Sequence, residues 1–156
     1  MTTAESVDGK FCVHRGEYTI STDPMRLNRR LVHRFLSEES YWARGIPYSV
    51  VDRSIDHSLN FGLYDSVTQL GYARVITDRA TFGFLRDVFV VSEARGLGLG
   101  TWLIESVRTH ADLRGLRRLM LATRDTHGLY QRLGFAPLRR PDRFLSIEQS
   151  SKELYR

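Results

Sequence analysis

The run from Asp87 to Gly100, DVFVVSEARGLGLG, places the tightest constraint on what this chain can fold into. An apolar stretch ends at Val91, glycines alternate at Gly96, Gly98 and Gly100, and an amphipathic helical pattern begins at Thr101. This reads as a strand, a tight glycine corner and a helix N-terminus. A helix start leaves N–H groups without intrahelical acceptors, and the helix dipole adds partial positive charge there. Arg95 supplies a full charge beside it. Such a corner suits a phosphate or pyrophosphate. Taken alone it is equally compatible with a turn that binds nothing, because glycine is the default residue of any tight turn.

Two common phosphate motifs do not fit. A P-loop needs a Gly-Lys-Ser/Thr ending, and no lysine precedes Thr101. A dinucleotide fingerprint needs Gly-x-Gly-x-x-Gly and a carboxylate closing the next strand, whereas no carboxylate follows Leu119–Thr123 until Asp125.

The chain has 156 residues, the size of one domain, and carries a net charge of +5 with the signs interspersed. That balance suits an anionic small ligand as well as a nucleic acid. The clusters Arg114, Arg117, Arg118 and Arg139, Arg140, Arg143 read as solvated faces, so no nucleic-acid partner is expected. The single cysteine, Cys12, excludes an internal disulfide. Residues 1–10 are polar and carry acids, unlike a signal peptide, and are expected to be a flexible tail ahead of one domain over 11–156. No apolar run reaches membrane-spanning length, which makes the cytoplasm the expected location and a membrane partner unexpected.

Periodicity predicts the elements. A short strand falls within Glu17–Ser21, and Asp23-Pro24 starts a helix that ends near Ser37. A second helix covers Ser49–Ile55. Strands at Leu59–Tyr64, Gln69–Thr77 and Phe82–Val91 are joined by short turns and predict an antiparallel meander. A helix over Gly98–Arg114 leads to a strand at Leu116–Thr123, which is expected to lie parallel to Phe82–Val91. His127–Leu133 reads as a short helix stopped by Gly134, and Phe135–Leu138 and Phe144–Ile147 read as closing strands.

The order strand, Arg95-Gly96-Leu97-Gly98-Leu99-Gly100, helix, strand, Leu129-Tyr130-Gln131-Arg132-Leu133-Gly134-Phe135 resembles the GNAT superfamily of acetyl-CoA-dependent N-acetyltransferases. The likeness covers roughly residues 17–148. It implies an α/β (α+β) fold: a mixed, mostly antiparallel sheet flanked by helices and splayed between its fourth and fifth strands, here Phe82–Val91 and Leu116–Thr123. Where the family often places an Asn seven residues before the Tyr, this chain has Thr123, so a contact from that position would come from a hydroxyl.

The resemblance also implies roles. Acetyl-CoA would be the co-substrate, with no metal. Backbone groups of Val88, Phe89 and Val90 would meet the pantetheine arm and the developing oxyanion. Amides from Arg95 through Gly96, Leu97, Gly98, Leu99 and Gly100 to Thr101 would hold the pyrophosphate. Thr123 and His127 would add cofactor contacts, with His127 and His57 also considered as proton relays. Tyr130 would donate a proton to the departing thiolate. Asp87 is read as a general base or, alternatively, as the ion-pair partner of Arg74 or Arg86. Tyr41, Trp42, Tyr48, Asp52, Phe61 and Tyr64 are the aromatic and acidic residues available on the acceptor side. The acceptor would be a primary amine of a small molecule or peptide, and a homodimer is left open. The alternative is a module that binds acyl-CoA and transfers nothing.

Overall fold

The structure, a computed structural model, describes residues 2–156. Among these a single sheet runs in the order β1 to β7: Thr2–Val7, Lys10–Arg15, Tyr18–Ser21, Leu59–Asp65, Thr68–Thr77, Phe82–Val90 and Arg118–Leu121. Every neighbouring pair is antiparallel except β6 and β7, which are parallel. The helices are α1 (Arg29–Arg34), α2 (Tyr48–Asp56), α3 (Leu99–Thr109), α4 (Ala111–Arg114), α5 (His127–Arg132) and α6 (Ser151–Leu154). The α+β architecture read from the sequence is the one observed.

The N-terminus departs from that reading. Thr2–Val7 is no tail; it pairs with Lys10–Arg15 in register Thr2 to Arg15 through Val7 to Lys10. The turn between them is Asp8-Gly9, both at positive φ (50° and 73°). An Asp-Gly pair between two strands is the standard signal for a two-residue hairpin, because its left-handed backbone matches the strand twist.

Three further boundaries moved. The Asp23-Pro24 start yields only one 3-10 turn (Pro24–Arg26); Asn28 then caps α1 by accepting from the Leu31 amide at 3.1 Å. After Arg34 the helix widens into a π turn over Phe35–Glu39. The long helix after the glycines breaks at His110, whose extended backbone and Nδ1 (accepting from the Asp112 amide, 3.1 Å) cap α4 instead. The closing strands predicted at Phe135–Leu138 and Phe144–Ile147 do not form. Pro137 and Pro141 cannot donate to a ladder, and three arginines lie between the two segments.

Two apolar layers cover the sheet. Leu103, Ile104 and Val107 of α3, all at most 1% exposed, pack on Phe61, Leu63, Ala73 and Val75. On the opposite face Val32, Leu36, Val51 and Ile55 of the first helices pack on Tyr72 and Phe89. The hairpin feeding β6 is anchored by Asp78, whose carboxylate accepts from the Ala80, Thr81 and Phe82 amides and the Thr81 hydroxyl; those bonds hold it well below the usual carboxylate range.

The feature that makes a site is a mismatch of strand lengths. β7 pairs with β6 only from Phe82/Arg118 to Leu85/Leu121, while β6 continues to Val90. Beyond Leu85 the two strands part. A bulge lies at the parting point: the β5 register skips between Tyr72/Phe89 and Arg74/Arg86, and Asp87 sits at φ 55°. A bulge adds local twist and re-aims side chains. Leu85 faces the α3 layer while Phe89, four residues on, faces the α1/α2 layer; a regular strand would point both the same way.

Candidate active site

The gap between β6 and β7 opens into a cleft of about 1100 Å³. Its walls are Arg86–Val90 of β6, Leu121 at the end of β7 and residues 122–126 after it, Leu129 and Tyr130 of α5, and Phe35, Tyr41 and Trp42 from the acceptor side. The glycine corner lies at one end, with Arg95 and Gly100 in the wall.

Gly96 and Gly98 take φ 82° and 75°, which explains both glycines: a Cβ at either would meet nothing within 4 Å, so the need is conformational rather than steric. Gly98 is the N-cap of α3 and has no side chain to offer. The first amide of this helix start with a backbone acceptor is that of Trp102, bonded to the Gly98 carbonyl at 3.1 Å. The N–H groups from Gly96 to Thr101 have no backbone partner. Gly100 has an ordinary helical backbone, and a Cβ there would rest 3.7 Å from Val90. Leu99 is buried in the α3 layer and Leu97 is exposed, so both can offer only backbone to a ligand. Arg95 bends back so that its Nε donates to the Val90 carbonyl at 3.0 Å. That takes up one acceptor on the β6 edge and leaves Val88 as the open backbone position.

Asp87 is committed on both oxygens. Trp42 Nε1 donates to Oδ1 at 2.9 Å and Arg74 Nε to Oδ2 at 2.8 Å. The Asp87 side chain is 6% exposed and that of Arg74 12%. Arg74 also donates to the Ser58 hydroxyl at 3.1 Å. Of the two roles the sequence allowed, the geometry is that of the Arg74 ion pair, with Trp42 added as a third member that the sequence did not signal.

Tyr130 lies in the cleft, its ring edge-on to Phe135 at 5.8 Å. Burial pushes its phenol up from the ordinary value, with a smaller push from Tyr41. The phenol is therefore protonated across the neutral range and has a proton to donate. The Thr123 hydroxyl is engaged locally, 2.6 Å from the Thr126 hydroxyl, and accepts from the Thr126 amide at the head of α5. His127 is exposed and faces a separate groove on the far side of β7, and His57 caps α2 away from the cleft; neither is brought to Tyr130.

The acceptor side is narrower than expected. Phe61 is core beneath α3, Tyr64 is buried, Tyr48 packs edge-on to His33, and Asp52 pairs with Arg29 at 2.8 Å. Only Tyr41 and Trp42 reach the cleft. Tyr41 bridges its mouth: the Arg124 guanidinium lies 3.9 Å from its ring centre, and the Arg124 amide donates to its hydroxyl at 3.3 Å. Phe35, stacked on Phe89 at 4.0 Å, and Ile147–Gln149 complete the wall. Phe35 was legible only as a helix core residue, and the C-terminal segment only as a strand.

A sheet that opens beside a glycine corner with free helix amides, with a phenol in the same cleft, is the arrangement of an acyltransferase-type fold. The chain belongs to the GNAT acetyltransferase family, whose model, Acetyltransferase (GNAT) family, matches residues 24–135. A protein of Xanthomonas campestris pv. campestris, described as belonging to the GNAT family, is 45% identical and superposes with a TM-score of 0.86 over 91% of this chain and 99% of its own. FG08082 of Gibberella zeae, named for an inferred acetyltransferase activity, is 33% identical over 74% of this chain and 77% of its own. Glucosamine-6-phosphate N-acetyltransferase of Arabidopsis thaliana, 17% identical over 85% of this chain and 96% of its own with a TM-score of 0.58, shares the fold. Family membership implies use of an acyl-CoA and an acceptor substrate. Among the described residues no helix is long and apolar enough to cross a membrane.

Proposed function

We propose that this protein transfers an acetyl group from acetyl-CoA to a primary amine by direct attack within a ternary complex. The observation that carries the reading is the continuity of one cleft: Arg95 and Gly100 bring the glycine corner with its unpaired amides into the wall, which also holds the free β6 edge at Val88 and Tyr130. The residues suit the co-substrate. Backbone amides at a helix start take a pyrophosphate. An exposed strand edge takes the amides of an extended pantetheine arm.

The amine nitrogen attacks the thioester carbon to form the C–N bond and a tetrahedral oxyanion; collapse breaks the C–S bond, and the nitrogen sheds its extra proton to solvent. Backbone N–H groups near Phe89 and Val90 would face the developing oxyanion. Tyr130 hydrogen-bonds the departing sulfur. Burial raises the Tyr130 phenol above its ordinary value, further from that of a thiol, so Tyr130 stabilises the leaving thiolate mainly as a hydrogen-bond donor and solvent completes the protonation. Asp87 acts by position: it ties the Trp42 wall to Arg74. The amine then has to arrive neutral on its own account, and the acid limb of the rate profile follows the amine's pKa, about 10.4 for a lysine-like acceptor.

The test is calorimetry with acetyl-CoA followed by thiol release across a panel of amines of differing pKa. Binding together with turnover whose acid limb tracks the amine supports the reading. Binding without turnover on any amine would instead make the protein a silent acyl-CoA module, and absence of binding ends both.

A further inference from the structure

The acceptor half of the cleft is bridged twice. Tyr41 reaches Arg124 across the mouth. The C-terminal segment spans it a second time. It starts beside β7, where the Phe144 ring lies 4.9 Å from the Arg118 guanidinium, and it contributes Glu148 and Gln149 to the cleft wall. It ends at Tyr155, whose carbonyl would stand 3.5 Å from a Cβ at Gly45, on the loop (40–47) that carries Tyr41 and Trp42. An acceptor therefore enters between two crossings. A small molecule can do so; a lysine on a folded protein brings backbone and neighbouring side chains that meet both.

The charges around this mouth do not cancel within the protein. Asp87 is committed to Arg74 and Trp42. Arg86, the preceding residue on β6, lines the cleft, is exposed, and has no carboxylate within ion-pair distance among the described residues. Arg124 meets only the carboxylate of its own neighbour, Asp125, at 3.4 Å, with both side chains more than half exposed. Such a pair is worth little and gives way readily to a better partner. Glu148 accepts from the Ser146 hydroxyl at 2.8 Å and has no cationic partner among the described residues. The mouth thus offers two available guanidiniums together with the carboxylates of Asp125 and Glu148.

Resting on the transfer reading above, we propose that the acceptor is a small zwitterionic amine, a compact skeleton whose amino group is separated by a short spacer from a carboxylate. Arg86 and Arg124 take the carboxylate through charge-assisted hydrogen bonds. Asp125 and Glu148 draw in the ammonium form, which loses a proton to solvent before its nitrogen attacks. The rings of Phe35 and Trp42 flank the spacer. A polyamine would set a second cation against the two guanidiniums, and a plain alkylamine would leave them unmatched. A doubly charged phosphate would be opposed by Asp125 and Glu148, which favours the singly charged carboxylate.

The experiment is thiol release from acetyl-CoA with the full chain and a set of amines: para-(aminoethyl)benzoate, its neutral benzamide counterpart, phenethylamine and a short lysine peptide. Benzoate and benzamide differ in charge and little in shape, so the ratio of their kcat/KM values reads the carboxylate. The expected ratio is about tenfold or more in favour of the benzoate, with the lysine peptide slowest. Arg86→Gln combined with Arg124→Gln should bring the ratio to about one, and Arg86→Glu should invert it. A ratio taken within one preparation does not depend on how much of a variant is folded. The inference is overturned, with the transfer reading intact, if the neutral amines or the lysine peptide turn over as well as the benzoate, or if the preference survives the paired substitution. If acetyl-CoA binds and no amine is acetylated, the transfer reading falls instead. Calorimetry of the benzoate against the CoA-saturated protein then decides the site: tighter binding than the benzamide supports it, and equal or absent binding overturns it. Absence of acetyl-CoA binding overturns both.

Discussion

Asp87→Asn separates a positioning carboxylate from a catalytic one. Asparagine tolerates the φ of 55° at this position and keeps an Oδ1 for the Trp42 indole, so the substitution removes the ion pair and little else. Both partners are nearly buried, at 6% and 12% side-chain exposure, so solvent screens the lost interaction poorly. Removing one member of a buried pair costs about 3–5 kcal/mol, because a charge is left behind without compensation. Arg74 retains its bond to Ser58, which places the cost near the lower end, about 3 kcal/mol. For a chain of this length that is a fall in Tm of about 6–12 °C. Replacing Arg74 by Gln as well removes the orphaned charge, so the double variant should recover part of the loss, a coupling of about 2 kcal/mol. In the thiol-release assay Asp87→Asn should raise KM for the amine, through a loosened Trp42 wall, and leave the acid limb where it was. A general base would behave differently: its loss costs about 10²–10⁴ in rate and abolishes the limb. An unchanged Tm with a vanished acid limb refutes the positioning argument.

Other outcomes follow from the same structure. Gly98→Val forces a β-branched residue to φ 75°, at about 1–2 kcal/mol, and should abolish acetyl-CoA binding by calorimetry; Gly98→Asn, which tolerates that backbone, should bind within a few fold of the parent. Tyr130→Phe should lower kcat about 10²-fold with acetyl-CoA affinity retained, and no basic limb should appear in the parent below about pH 10, because burial raises the phenol pKa. His110 is pushed down from 6.5, chiefly by burial against Phe11 and Phe61, so the unfolded chain binds the extra proton first. Its contribution to stability is full above pH 6.5 and falls as pH drops from there toward the lower folded-state pKa. His110→Asn, which can still cap α4, should flatten urea-midpoint profiles below about pH 6.5.

The fold was legible where a pattern was local and strong. Period-two apolar alternation located β4, β5 and β6 to within a residue or two, and the alternating glycines fixed the strand-to-helix corner. The N-terminal hairpin carries a turn signal in Asp8-Gly9, which a reading of residues 1–10 by their polarity alone passes over. The break at His110 was hidden because Leu113 keeps the helical spacing across it. Within the site, backbone functions could be read from glycine positions. Side-chain partnerships could not: Trp42 and Asp87 stand 45 positions apart, and Tyr41 and Arg124 83 apart. The acceptor wall is made of such pairings, which explains why four of its six candidate residues fell elsewhere in the fold.

One residue joins the opening of the sheet to the wall of the cleft. Pairing between β6 and β7 ends at Leu85, and the left-handed backbone at Asp87 follows two positions later. A non-glycine residue in that conformation costs about 1–2 kcal/mol, and persists only where its surroundings overdetermine it. Here the surroundings are the Arg74 guanidinium and the Trp42 indole, both on the face away from α3. The ion pair therefore offsets the strain of the bulge. The bulge reverses which residues face each layer, sending Phe89 onto Phe35 and leaving Val88 toward the gap. Trp42 in turn fixes Tyr41, its edge-on neighbour at 5.1 Å, across the mouth to Arg124. A glycine at position 87 would relieve the backbone strain and still lose the cleft's geometry, because what sets that geometry is the carboxylate.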